Sequence, residues 1–242
     1  MDGKRLLVAA FLASILGTCC GHLKNISGCS LDVLHGCGSD YVPFGTVTRV
    51  PETREELKEE CKTYLSQIAC TEKFSEDCLE SLPRVVSLLA TRAAQEDYEA
   101  TCTEDTDLEK QYLNSVECMN GAGLKLNACM KKVFENFQKA AQFAPKKEKI
   151  HYGCCYYNEL LDCIEDSVGS CEDSEALEFL TNTMEHIFGQ VLSLVCGTFS
   201  RGSQDCKSLP ALADLPPGTT KIGNFVEPII VISNSLRSGD RK

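Results

Sequence analysis

The sequence predicts an all-α protein, a disulfide-stapled helical bundle made of two related units. Three observations lead to this prediction. The chain of 242 residues contains 16 cysteines. Its apolar residues recur at steps of three and four, which is the spacing of one helix face, and few segments alternate as β-strands do. The spacing of the cysteines also repeats along the chain, as expected of a duplicated unit.

The amino terminus has the pattern of a secretory signal peptide. A short basic segment, residues 1–5, precedes the apolar residues 6–17, and small residues follow as far as Gly21. This apolar core is too short to span a bilayer, which takes ~20 residues. Cleavage after Gly21 leaves an even number of cysteines and so permits full pairing. We therefore predict a secreted, extracellular protein. Asn25 begins the one N-x-S/T sequon, a predicted glycosylation site unless the sequon is unused.

Twelve of the remaining cysteines form two series with matching steps. From Cys37 the steps are 24, 9, 8, 24 and 16 residues, and from Cys129 they are 25, 9, 8, 25 and 10. Cys29 and Cys155 stand outside both series and are the first candidates for a bridge between the amino-terminal segment and the second unit. The predicted disulfide cysteines are Cys29, Cys37, Cys61, Cys70, Cys78, Cys102, Cys118, Cys129, Cys154, Cys155, Cys163, Cys171, Cys196 and Cys206.

The two cysteine series divide the chain into four predicted segments. Residues 1–21 form the signal peptide, 22–118 the first cysteine-rich helical unit and 119–206 the second. Residues 207–242 form a proline-rich linker and tail. We expect about four helices in each unit.

Several helix starts can be predicted from local signals. Thr53 and Glu56 have the spacing of a capping box, and Thr106 and Glu109 repeat it. Pro83 lies within an apolar periodic run, so the helix is expected to begin just before it, with proline in the first turn.

Helix geometry restricts the disulfides. If Cys61 and Cys70 share a helix, nine residues separate them by ~13.5 Å along its axis. A disulfide needs Cα atoms within ~7 Å, so each must bond to a different element. The same holds for Cys154 and Cys163. The adjacent Cys154 and Cys155 point in different directions and need different partners, while the full connectivity stays open.

The tail differs in composition from the two units. Its apolar stretch, residues 225–236, is too short to span a membrane and contains Glu227 and Pro228. We expect a strap on the bundle or a disordered end, with a partner-binding segment as the functional alternative.

Charge and motifs exclude several functions. The formal net charge of −11 argues against nucleic-acid binding and against a polybasic membrane-surface protein. Histidines are scattered and no C-x-x-C occurs, so we predict no metal and no cofactor. The run from Gly153 to Glu159 resembles the active-site helix of secreted phospholipases A2. However, Asn158 occupies the position of the catalytic histidine, and asparagine cannot act as a general base. We predict that the protein is not an enzyme.

A resemblance to one family rests on cysteine spacing and the neighbouring residues. These are Cys61-x8-Cys70-x7-Cys78-Leu79, Cys102, Leu108-x3-Tyr112 and Cys118. The pattern resembles the arthropod twenty-seven-kilodalton haemolymph glycoprotein family and, more distantly, secreted cysteine-rich helical domains of nematodes. This resemblance implies a secreted, often glycosylated protein of body fluid, saliva or venom. It carries no established activity and no functional residues.

The predicted function is binding rather than catalysis. The apolar stripe from Leu177 to Val195, with Met184 and Phe188, and the nearby Tyr156 and Tyr157 suggest a carrier of an apolar small molecule. The alternative is that these residues simply fill the core. A second hypothesis is a salivary or venom effector that binds an extracellular host or prey protein, and a third is a degenerate phospholipase-like hydrolase.

Overall fold

The computed structural model confirms the all-α fold. It describes residues 23–24, 28–171, 175–219, 222 and 224–233. The predicted signal peptide and Asn25 lie outside these residues. The described helices are α1 (Leu31–Gly36), α2 (Arg54–Cys78), α3 (Ser81–Thr101), α4 (Asp107–Gly121), α5 (Gly123–Phe143), α6 (Lys149–Val168), α7 (Ala176–Val195), α8 (Gln204–Ser208) and α9 (Val226–Ser233).

The predicted helix starts are confirmed. Thr53 precedes α2, and its side chain accepts a hydrogen bond from the backbone N–H of Glu56 at 3.1 Å. Thr106 caps α4 in the same way through the N–H of Glu109, also at 3.1 Å. Both caps satisfy amide groups that have no partner within the helix. Pro83 lies in the first turn of α3.

Each disulfide joins two different helices or a helix and a segment outside it, as helix geometry requires. Cys61 and Cys70 both lie in α2, and they bond to Cys102 and Cys37. Fourteen cysteines form seven bonds within the described chain. The pairs are Cys29–Cys78, Cys37–Cys70, Cys61–Cys102, Cys118–Cys171, Cys129–Cys163, Cys154–Cys196 and Cys155–Cys206.

The bridge suggested between Cys29 and Cys155 is wrong. Cys29 bonds to Cys78 because the segment before α1 lies against the end of α2. There the Lys24 N–H donates to the Cys78 carbonyl at 2.9 Å. Cys155 bonds instead to Cys206 in α8, at a Cα–Cα distance of 5.4 Å.

Two pairs of disulfide bonds correspond in the two halves of the chain. Cys37–Cys70 and Cys129–Cys163 have sequence separations of 33 and 34. The Cys61–Cys102 and Cys154–Cys196 bonds have separations of 41 and 42. The relatedness of the two predicted units, and the boundaries drawn between them, stay predictions.

Helices α2 and α3 form a closely packed antiparallel pair. Their contact is lined by small side chains, including Ser75 and Ser87, whose hydroxyl oxygens lie 2.6 Å apart and share a hydrogen bond. Ala90 and Ala94 are also buried. Small residues allow helix backbones to approach closely, which makes this pair a rigid wall for the rest of the bundle.

The apolar stretch of the C-terminal tail is buried more deeply in the helical bundle than the sequence predicts. Helix α9 packs against α3, α5 and α6 rather than lying over the bundle as a strap. Val226 and Ile230 are 0% and 2% exposed. The apolar stretch supplies core side chains, and this burial explains why a segment without cysteines is held in place.

Candidate functional site

A central apolar cavity of about 250 Å³ lies between α2–α7 and α9. It is larger than the ~150 Å³ apolar cavity that stays dry and binds benzene, and it approaches the ~300 Å³ lower bound of common ligand pockets. Its walls are almost wholly apolar. Such a cavity has the size and chemistry to hold a small apolar molecule.

Helix α7 supplies one wall of the cavity. Met184, Ile187, Phe188 and Val191 line it and are only half-buried. Met184, Ile187 and Phe188 also pack against the buried core clusters, so this stripe contributes to the core and to the cavity wall. Leu194, in the same stripe, is 82% exposed and does not line the cavity.

The two tyrosines suggested for the site separate in the structure. Tyr157 lines the cavity, and its ring meets that of Phe188 edge-on at a centroid distance of 6.0 Å. Tyr156 lies in another cluster beside Tyr152, with ring centroids 5.9 Å apart. One helical step of about 100° around α6 accounts for this separation.

Several further tyrosines that sequence patterns did not indicate also line the cavity. The hydroxyl of Tyr112 donates to the Pro51 carbonyl at 2.6 Å, and that of Tyr98 donates to the Tyr41 carbonyl. Their aromatic character was visible, but the partners lie 61 and 57 residues away in sequence. Local patterns therefore gave no signal for these contacts.

Tyr157 differs from these tyrosines because its buried hydroxyl has no hydrogen-bond partner among the described residues. The residue as a whole is 9% exposed. Burial raises the pKa of the phenol, with a smaller contribution from Glu185. The hydroxyl therefore stays protonated near neutral pH and can donate to a bound molecule.

The charged residues of the cavity lining are acidic. Asp40 and Asp97 line it, whereas the described lining includes no Lys, Arg or His. One oxygen of Asp97 lies 2.7 Å from His186 Nδ1, and the other is buried without a hydrogen-bond partner in the described chain. Burial raises the pKa of the Asp97 carboxyl, while the bond to His186 opposes that rise.

Disulfides hold most of the cavity walls. Cys154 itself lines the cavity and bonds to Cys196 at the end of α7. Cys61 joins α2 to Cys102 directly after α3. These bonds hold neighbouring walls together and restrict how far the cavity can collapse when empty.

Helix α9 closes one side of the cavity with Pro228, Ile229 and Ile232. It contains no cysteine and follows the proline-rich linker. Polar contacts anchor its first turn. His35 Nε2 lies 2.9 Å from a Glu227 carboxylate oxygen, and Asn224 accepts from the Val226 N–H at 2.9 Å.

In the helix that resembles a phospholipase active site, Asn158 and Glu159 contact neighbouring residues. The Asn158 amide donates to the Phe199 carbonyl at 3.1 Å, and Glu159 lies near Lys132 at 3.6 Å. No cluster of three or more His, Cys, Asp or Glu side chains in the described ranges is placed to hold a metal ion. None of the described helices is both long and apolar enough for a membrane crossing.

The disulfide content is typical of secreted and extracellular proteins, in which such bonds persist. The resemblance to the arthropod haemolymph glycoproteins stays a prediction. Comparisons with protein families, curated proteins and solved structures find no match for the chain.

Proposed function

We propose that this protein is a secreted, non-enzymatic carrier that binds an apolar small molecule in its central cavity. The cavity of about 250 Å³ is the observation that carries the proposal. An apolar ligand would fill this space and remove its own surface from water, which stabilises the complex by roughly 25 cal/mol for each Å² buried.

The disulfides support a carrier role because they stiffen the walls before any ligand arrives. A preorganised site loses less conformational entropy on binding than a flexible one. They also suit a protein that must survive outside the cell. Glycosylation at Asn25 and the effector hypothesis stay predictions.

The absence of catalysis is part of this proposal. Asn158 stands where a phospholipase would need a titrating base, and its amide is engaged by a backbone carbonyl. We expect no phospholipase activity with or without calcium. Calcium-dependent release of fatty acid from phospholipid vesicles by the purified protein would contradict this part of the proposal.

The binding role can be tested with the neutral fluorescent probe N-phenyl-1-naphthylamine and protein stripped of bound lipid. We expect saturable binding with one site per chain. Val191→Trp places a large ring at the cavity wall and should weaken binding at least about tenfold, because the ring occupies the ligand's space.

Leu194→Trp is the matched control, since Leu194 lies on the same helix but is 82% exposed and outside the lining. It should leave the dissociation constant of the probe unchanged. The carrier proposal fails if the wild-type protein does not bind the probe, or if both variants bind it as the wild type does.

A further inference from the structure

The cavity has polar features that define the class of its ligand. Building on the proposed carrier function, we propose that the cavity selects neutral apolar molecules bearing a hydroxyl group, such as long-chain or cyclic alcohols, over fatty-acid anions. Tyr157 supplies the hydrogen bond that recognises the hydroxyl oxygen.

The unpaired hydroxyl of Tyr157 is the first basis for this inference. A buried polar group without a partner is costly, so such groups are rare in folded proteins. Tyr112 and Tyr98 line the same cavity, and both hydroxyls donate to backbone carbonyls. Tyr157 alone among these three lacks a partner in the described chain. A ligand oxygen beside it would supply the missing acceptor.

The charges around the cavity favour a neutral ligand. A carboxylate that enters an apolar cavity loses its hydration and needs a cation or several donors in return. The described lining offers no cationic side chain to pair with an anion, and its two charged residues are acidic: Asp97, which lies beside His186, and the exposed Asp40. A fatty-acid anion therefore gains less from this site than the alcohol of equal chain length.

Asp97 favours a hydroxyl over an oxygen that only accepts. Its second carboxylate oxygen is buried and has no hydrogen-bond partner among the described groups. A hydroxyl can both accept and donate, whereas an ether or ketone oxygen cannot donate. An alcohol can therefore accept a hydrogen bond from Tyr157 or donate one to Asp97, depending on which residue its oxygen lies near.

The test uses 1-decanol, decanoate and decane, the last supplied from cyclodextrin, as competitors of N-phenyl-1-naphthylamine at pH 7. For the wild type, we expect 1-decanol to bind at least about tenfold more tightly than decanoate. Tyr157→Phe removes only the hydroxyl. It should weaken 1-decanol binding about fivefold to tenfold, which is the effect expected from the loss of one hydrogen bond. It should not weaken decane binding.

Tyr152→Phe is the matched control, because it removes a hydroxyl from the same helix that already donates to the Pro210 carbonyl at 2.7 Å, and Tyr152 lies outside the cavity lining. It should lower the melting temperature without changing the preference for 1-decanol over decane. Circular dichroism of both variants establishes that each is folded.

Two results would overturn this inference while leaving the carrier function intact. One is decanoate binding as tightly as 1-decanol, and the other is an unchanged 1-decanol affinity in Tyr157→Phe. If the wild type binds neither the fluorescent probe nor any competitor, the carrier function itself is wrong, and the ligand class fails with it.

Discussion

The same cavity is enclosed by two regions that are held in very different ways. Residues 29–206 carry seven disulfides, three within residues 29–102 and four within residues 118–206, and these cross-link the helices within each of the two parts. The C-terminal segment, residues 207–233, has no cysteine, and α9 is held by apolar burial and a few polar contacts. The difference separates a cross-linked part of the cavity wall from a part that is held by non-covalent contacts alone.

This comparison identifies α9 as the wall of the cavity that no disulfide holds. Opening α9 requires the loss of non-covalent contacts only, including the edge-on contacts of Phe225 with Tyr41 and Phe188. Segments with fewer constraints open at lower free-energy cost than a cross-linked core. The stapled helices would keep their shape while α9 moves.

The largest effect is expected from breaking a disulfide in the fixed region. The double variant Cys154→Ser with Cys196→Ser removes the bond between α6 and the end of α7. We expect the free energy of unfolding to fall by about 2–5 kcal/mol, because the unfolded chain gains freedom. Urea denaturation measures this change, and a loss below about 1 kcal/mol would show that packing alone fixes these walls.

A smaller and more local effect is expected in the C-terminal segment. Ile230 is 2% exposed. If α9 and the bundle unfold together, Ile230→Ala should lower the free energy of unfolding by about 2–4 kcal/mol, because it leaves a cavity in the core. If α9 opens on its own, the loss of stability caused by Ile230→Ala cannot exceed the free energy with which α9 docks on the bundle. We expect hydrogen exchange to increase over residues 226–233 and to stay unchanged in α2 and α3.

Val85→Ala is the control for this experiment, since Val85 lies in α3 and is 54% exposed. Surface changes of this kind usually stay within about 0.5 kcal/mol. Equal acceleration of exchange throughout the protein in Ile230→Ala would contradict the separation between the two regions.

The smallest effect is expected at the contact between α1 and α9. His35→Gln removes the partially exposed pair with Glu227, and such pairs contribute about 0–1 kcal/mol. We expect slightly faster hydrogen exchange in the first turn of α9 and no measurable change in global stability. A shift in the melting temperature as large as that of Ile230→Ala would show that this pair, rather than apolar burial, holds the segment.

The helices could be predicted from the sequence because their signals are local. Thr53 and Thr106 act three residues from the amide groups that they cap. The rule that Cys61 and Cys70 need different partners depended only on helix rise. The identity of those partners could not be predicted, because it depends on which helix ends become neighbours in three dimensions.

The cavity was only partly predictable for the same reason. Met184, Phe188 and Tyr157 belong to recognisable apolar faces, but a face does not reveal whether it meets side chains or empty space. That outcome depends on long-range packing, including the insertion of α9. The missing partner of the Tyr157 hydroxyl likewise emerges only when every neighbour is in place.

Native mass spectrometry of the protein incubated with excess 1-decanol tests the central claim most directly, because it counts ligands on each folded chain. We expect one bound molecule for the wild type and for Leu194→Trp, and a clearly smaller bound fraction for Val191→Trp at the same 1-decanol concentration. No bound molecule on any of the three proteins, or equal binding to all three, would contradict the claim that the central cavity is the binding site.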